Sequence, residues 1–238
     1  MNYMGILLRQ LIEIYSHPIE PPVHWSIVLF PGFQALDAFG PLDILNLVAR
    51  YKKIELSIIA ATLDPVSTDV APLFPDKQDV WNPAGSNIGQ AVVPTHTFDN
   101  PPEKIEVLLV PGGGGTRNEA SSGPVIEFIG KIYPSLRYLL TVCTGSGLAA
   151  RAGVLDGKRA TSNKRAWNEV IALRDEPNWI RRARWVAEGN IWSSSGISAG
   201  MDMMFAYVEY IWGKEFANVV SKRMEYVRNE DWDNDPFA

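Results

Sequence analysis

The chain has 238 residues, 46% of them hydrophobic and 21% charged, with a formal net charge of -5. That is enough apolar material for one large domain or two small ones, and there is no basic stripe to neutralise phosphates, so nucleic acid is not an expected partner. A lone cysteine closes no internal disulfide and, without a CxxC or Cys/His cluster, builds no zinc site; a reducing, cytoplasmic setting with no metal is expected, and no apolar run approaches the roughly 18 residues a membrane span takes.

The opening stretch, "MNYMGILLRQLIEIYSHPIEPP", is interrupted by Arg9 and Glu13 and lacks a small-residue cleavage site, so residues 1–24 read as an amphipathic N-terminal extension rather than a secretory leader. Prolines 18, 21 and 22 separate it from a first core strand, "WSIVLF" (25–30), which ends at Pro31 and Gly32. In "GPLDILNLVARYKK", Pro41 takes a first helical position with apolar residues at helical spacing behind it, and "ELSIIAAT" (55–62) follows as a second strand. Residues 63–90, rich in Pro, Asp, Asn and Gly, predict loop and short edge structure.

"IEVLLV" (105–110) is a buried strand running into "PGGGGTR" and then a helix, "GPVIEFIGKIY"; "YLLTV" (138–142) repeats the pattern of strand, glycine-containing turn and helix. "ARWVAEGNIWSSS" predicts two short strands joined at Glu188, Gly189 and Asn190, followed by a helix from about Ala199 to Trp212 and a last helix, "KEFANVVSKRMEYV". This alternation predicts an α/β fold, a doubly wound and mostly parallel sheet with helices on both faces and ligand sites at the carboxyl ends of its strands. Asp37, the glycines at 112–115 and Cys143 all fall at such ends. The simplest organisation is one domain over 25–228 between the extension and an acidic tail, 229–238.

Several motifs compete for the chemistry. The glycine run lacks the lysine and hydroxyl of a phosphate loop and the context of a dinucleotide fingerprint, but glycines at a strand end let backbone N–H groups point into a site and stabilise an oxyanion. "GISAG" (196–200) satisfies the hydrolase pattern GxSxG, yet His17, His24 and His96 all lie upstream of it, so the order Ser, acid, His cannot be assembled and Ser198 reads as a helix N-cap. Cys143 is either a small buried hydrophobe or a nucleophile at the end of a strand. No histidine follows it to act as base. A helix starting just after it would lower the thiol pKa through its positive end, and Asp37 in "QALDAFGP", if protonated, would donate a hydrogen bond to sulfur and pass its proton on.

Taken in order, "VLFPGFQALDAFGPLDIL", "LLVPGGGGTR", "VCTGSGLAARAGVLDGKRAT" and "SSSGISAGMD" resemble the ThiJ/PfpI superfamily, class I glutamine amidotransferase-like, over about residues 25–228. The resemblance implies a flavodoxin-like fold. Within the superfamily, Asp37 in "LDAFGP" together with "CTG" (143–145) is most similar to the isonitrile hydratases. That similarity implies a nucleophile elbow at Cys143, a hydrogen bond from Asp37 to its sulfur, Thr144 completing the catalytic set, an oxyanion hole from the N–H groups of Gly113 and Thr144, and a homodimer. Gly114, Asn163 and Trp192 are the expected substrate contacts.

Many members carry a histidine after the "AT" at 160–161; Ser162 and Asn163 stand there instead, which speaks against protease and amidotransferase activity. Aspartate at 37, where glyoxalase and chaperone members have glutamate, points away from those. The implied function is a cofactor-free, cysteine-dependent lyase that adds water to a small-molecule electrophile. Two readings stand beside it: a cis/trans isomerase acting by conjugate addition to a polyene, with Trp81, Trp192 and the tail aromatics lining an apolar channel, and a redox-sensing or stress-protective protein in which Cys143 becomes a sulfinate.

Overall fold

A computed structural model describes residues 20–238, so most of the extension expected over 1–24, His17 included, lies outside the described residues. In chain order the elements are β1 (His24–Val28), α1 (Ala35–Val48), β2 (Glu55–Ala60), β3 (Val66–Ser67), α2 (Gln78–Trp81), β4 (Ala91–Val92), β5 (His96–Thr97), β6 (Val107–Val110), α3 (Glu119–Ile132) and β7 (Tyr138–Thr141). They continue with α4 (Gly145–Arg151), β8 (Arg159–Ala160), α5 (Trp167–Ile171), β9 (Asn178–Trp179), β10 (Trp185–Glu188), β11 (Ile191–Ser194), α6 (Ala199–Trp212) and α7 (Lys214–Arg223).

The apolar runs become the middle of a seven-stranded sheet ordered β10-β11-β7-β6-β1-β2-β5. Every neighbouring pair in it is parallel except the β10–β11 hairpin. Every residue of β6 and β7 is buried, as strands covered by helices on both faces must be. On one side α1, α6 and α7 pack together, and Tyr207 of α6 meets the rings of Trp25, Tyr138 and Trp192 edge-on at 5.5, 5.2 and 5.4 Å. Elsewhere α3 packs on α4, and Phe128 of α3 lies 5.0 Å from Phe98. Residues 63–90 fold into β3, which pairs with β4 just beyond them, short 3-10 turns and α2. Among the described residues no helix is long and apolar enough to cross a membrane.

Register decides where the functional loops meet. Ile27 pairs with Leu109, and Leu109 with Leu140, so the carboxyl ends of β1, β6 and β7 rise together and deliver the loops after them to one edge. One boundary differs from expectation. Helix α1 begins at Ala35, and Pro41 lies inside it instead of opening it. Proline removes the N–H that would have bonded the carbonyl of Asp37 and crowds that carbonyl, but it leaves the N–H groups before it free to bond, so the apolar "ALDAF" turn still forms upstream of it. The consequence is that Asp37 sits on a helical turn and not on a loop.

At the opposite edge Glu106 ties the strand starts together. Its Oε2 accepts the N–H groups of Val23 and His24 at 2.9 and 3.0 Å, and its Oε1 accepts from Arg137 Nη1 at 3.0 Å. Burial alone would raise the Glu106 pKa, but these donors outweigh it and hold the carboxyl at about 2, below its ordinary 4.5. A depressed carboxyl contributes stability that is complete above its unfolded pKa and is lost as pH falls toward its folded one. Glu106→Gln is therefore expected to lose on the order of 3 kcal/mol at neutral pH and to approach the wild type near pH 2, as read from denaturant melts across that range.

Candidate active site

Val142 continues β7 by donating its N–H to Val110 O at 2.9 Å, and the chain then turns sharply at Cys143, whose φ of 58° lies in the left-handed region. A non-glycine residue is strained there by on the order of 1–3 kcal/mol and stays only where its surroundings over-determine it. Here they do. Cys143 N–H donates to Ser195 O at 3.1 Å, and Cys143 C=O accepts the hydroxyls of Ser146 at 3.0 Å and Ser162 at 3.1 Å. The bend aims the sulfur back across the strand ends toward α1.

Asn163 Nδ2 donates to the buried sulfur at 3.1 Å, and Ala166 N–H donates to Asn163 Oδ1 at 2.9 Å, which fixes the orientation of the amide. The backbone N–H groups of Thr144 and Ile197 also point at the sulfur. Ile197 has a φ of 45°, so "GISAG" supplies a strained backbone donor and not a serine nucleophile. Ser198 occupies the N-cap position of α6, but its hydroxyl makes no capping bond.

Asp37 completes the surroundings of the thiol. Its carboxyl is fully buried, accepts Gly112 N–H on Oδ2 at 3.0 Å and interacts directly with the Cys143 thiol. Burial raises the Asp37 pKa from 3.8 to about 7, only partly offset by the Gly112 N–H and by the thiol itself. The thiol is pushed up to about 12, first by burial and then by the Asp37 charge, and the N–H donors aimed at it do not compensate. This corrects the expectation of a resting thiolate: α4 has only seven residues, and desolvation outweighs whatever its positive end supplies. Between about pH 7 and pH 12 the pair holds one proton, and sulfur becomes an anion as that proton moves to Asp37.

The remaining expected residues separate into those brought to the elbow and those left away from it. Thr144 Oγ1 accepts Gly113 N–H at 3.0 Å and the Thr116 hydroxyl at 3.3 Å. The Gly113 N–H, expected to be free for an oxyanion, is therefore engaged by the neighbouring side chain. Gly112, the first of the four glycines, leaves no room for a side chain: a Cβ there would lie 2.5 Å from Thr144 Oγ1 and 3.0 Å from Asp37 Oδ2. A side chain at Gly114 would run into Val70 and Trp81.

Trp192 is not brought to the site. It pairs across the sheet with Leu140, three residues before Cys143, and packs into the core against Tyr207 and Tyr210. Trp81 stacks on Phe74 at 4.6 Å, so the two tryptophans do not form the channel imagined for a polyene. His24 bonds Glu55 at the start of β1, and His96 bonds Thr95 on the edge strand; neither joins the elbow. Beside Thr144 opens a cavity of about 410 Å³ with Thr116, Leu148, Val170 and Leu173 in its wall, where Arg117 and Glu169 close an ion pair at 2.7 Å.

A carboxyl whose pKa is raised on folding binds its proton more tightly in the native state, so the stability it contributes is present at low pH and lost as pH rises through its folded value. The wild type is expected to lose on the order of 4 kcal/mol through Asp37 between about pH 4 and pH 8. Asp37→Asn should melt several degrees above the wild type at about pH 8, with the gap closing below about pH 5. Calorimetry at the two pH values checks both parts.

The family model described as DJ-1/PfpI matches residues 25–210. The chain is 30% identical to an isonitrile hydratase of Pseudomonas putida over 88% of its own length and 81% of that protein's. It is also 30% identical to the HTH-type transcriptional regulator GbdR of Pseudomonas aeruginosa, over 65% of this chain but only 41% of the regulator. A solved ThiJ/PfpI family protein from Pseudomonas syringae superimposes with a TM-score of 0.71 at 24% identity, covering 91% of this chain and 80% of that one, which shows the flavodoxin-like fold. With the motif match spanning most of the chain and the elbow, glycine loop and sheet order in place, the chain belongs to the DJ-1/PfpI family.

Proposed function

We propose that this chain is a cofactor-free hydratase of isonitriles or of a chemically similar small electrophile. The observation that carries the reading is the buried carboxyl of Asp37 against the Cys143 thiol, in a site that no described histidine joins. The similarity to an isonitrile hydratase over most of both chains supports it.

The reaction needs one proton to leave sulfur and arrive on carbon. As Sγ bonds the terminal carbon of the isonitrile, the Asp37 carboxylate takes the S–H proton and places it on that same carbon, giving a thioimidate with no net change of charge. Asn163 Nδ2, already on the sulfur, stabilises the negative charge that appears while the proton is in transit. Water then adds across the carbon–nitrogen double bond, its OH to carbon and its H to nitrogen. Collapse of that adduct breaks the carbon–sulfur bond, returns the hydroxyl proton to sulfur through Asp37 and releases an N-substituted formamide.

Asp37 has to be a carboxylate when it accepts the thiol proton. kcat/KM for the wild type is accordingly expected to rise through a limb near pH 7, where Asp37 loses its own proton. With an alkyl isonitrile as substrate and formamide followed by NMR, Cys143→Ala is expected to abolish turnover and Asp37→Asn to lower it by about 10²–10⁴-fold. Cys143→Ala with full activity, or a wild type that forms no formamide, contradicts the reading.

A further inference from the structure

The acidic tail is built into the wall behind the site. Trp232 C=O accepts the N–H groups of Arg184 and Trp185 at 2.6 and 3.3 Å, and Asn229 N–H donates to Asp202 Oδ1 at 2.9 Å. Asp202 also holds Arg184 through its other oxygen, at 2.7 and 2.6 Å. The tail then turns Asp235 inward, where its carboxyl is fully buried 3.6 Å from Lys164 Nζ. Lys164 is buried as well, with 3% of its side chain exposed, and donates to Thr161 Oγ1 at 2.7 Å, Ser162 O at 3.1 Å and Ala183 O at 2.9 Å.

The segment this lysine grips is the one that touches the nucleophile. Ser162 donates its hydroxyl to Cys143 C=O, and Asn163 donates to Cys143 Sγ. A second route runs through the strand the tail caps: Arg184 C=O accepts Ser195 N–H at 2.8 Å, and Ser195 C=O accepts Cys143 N–H. An ammonium taken out of water keeps its position only if a counter-charge and acceptors hold it there, and among the described residues Asp235 is the carboxylate within ion-pair distance of Lys164. Burial lowers the Lys164 pKa to about 8, and the nearby Arg181 adds to this while Asp235 opposes it.

The geometry points to Asp235 as a positioning residue: by anchoring Lys164, the tail holds Asn163 on the Cys143 sulfur. This rests on the reading of Cys143 as the nucleophile, and it concerns the surroundings of the thiol, independent of which substrate the thiol attacks. An acidic end with a buried, paired carboxylate is thus part of the site and not a solvated appendage.

The test is alkylation of Cys143 by iodoacetamide at about pH 8 in the full chain, with melting temperatures recorded as a control for folding. Asn163→Ala should slow alkylation about tenfold, because a hydrogen bond to the sulfur anion is lost. Asp235→Asn should slow it in the same direction, Asp235→Glu should restore most of the rate, and the double variant Asp235→Asn/Asn163→Ala should be no slower than Asn163→Ala alone. Should Asp235→Asn fail to fold, Lys164→Met/Asp235→Leu removes both charges without leaving one unpaired, and it too should alkylate near the Asn163→Ala rate. Wild-type alkylation in the Asp235 variants, or losses that multiply in the double variant, overturns the proposal. None of these rates depends on isonitrile turnover, so failure of the hydratase reading and failure of this one are separable.

Discussion

Burial of the Asp37 carboxyl against the Cys143 thiol is the constraint around which the rest of this end of the fold is arranged. Two acidic groups packed together out of water cannot both ionise near neutrality, so they keep one proton between them. Each neighbouring element contributes to holding that arrangement. Helix α1 extends one turn upstream of Pro41 and so presents Asp37 from a rigid turn, the loop after β6 brings Gly112 N–H to its Oδ2, and the bend after β7 turns the sulfur to meet it. Aligned register across β1, β6 and β7 is what makes the three coincide.

Such a site opposes stability, and the fold offsets this elsewhere. Cys143 and Ile197 both hold left-handed backbone, Asp37 is buried without a full complement of hydrogen bonds, and among the described residues no cation offsets the burial of the thiol. Against this stand a sheet whose central strands are buried on both faces, an aromatic cluster around Tyr207 and buried ion pairs such as Arg184 with Asp202. Strain concentrated at one edge of a well-packed sheet is the usual form of a trade between stability and activity. The elbow remains strained because serine hydroxyls and backbone groups from three separate segments hold Cys143 in place.

Much of the fold was legible because its signals are local. Apolar runs ending in glycine or proline marked the central strands, Gly189 and Asn190 marked the β10–β11 hairpin, and α6 runs from Ala199 to Trp212 before Gly213, as its pattern indicates. Cys143, Asp37, Thr144 and Asn163 were legible through motif and resemblance, and they come together. What was hidden depends on partners far apart in the chain. Nothing in "GISAG" announces that Ile197 will turn its N–H to a sulfur, and the bond from Gly113 N–H to Thr144 Oγ1 needs the two loops already side by side. Trp192 was misplaced because strand alternation, unseen until register is known, sends its ring to the α6 layer. Composition alone does not say where the carboxyls of an acidic tail go; Asp235 is buried 3.6 Å from Lys164, a residue 71 positions earlier.

The shared proton itself is open to direct observation. With aspartate carboxyls labelled by carbon-13 and Asp37 assigned by its absence in Asp37→Asn, an NMR titration reads the midpoint in the wild type and in Cys143→Ala. The account predicts a wild-type midpoint near 7 that moves higher when the thiol is removed, since the thiol's hydrogen bond favours the carboxylate. A midpoint near 4, as for a solvated aspartate, or one indifferent to the loss of the sulfur, would contradict it.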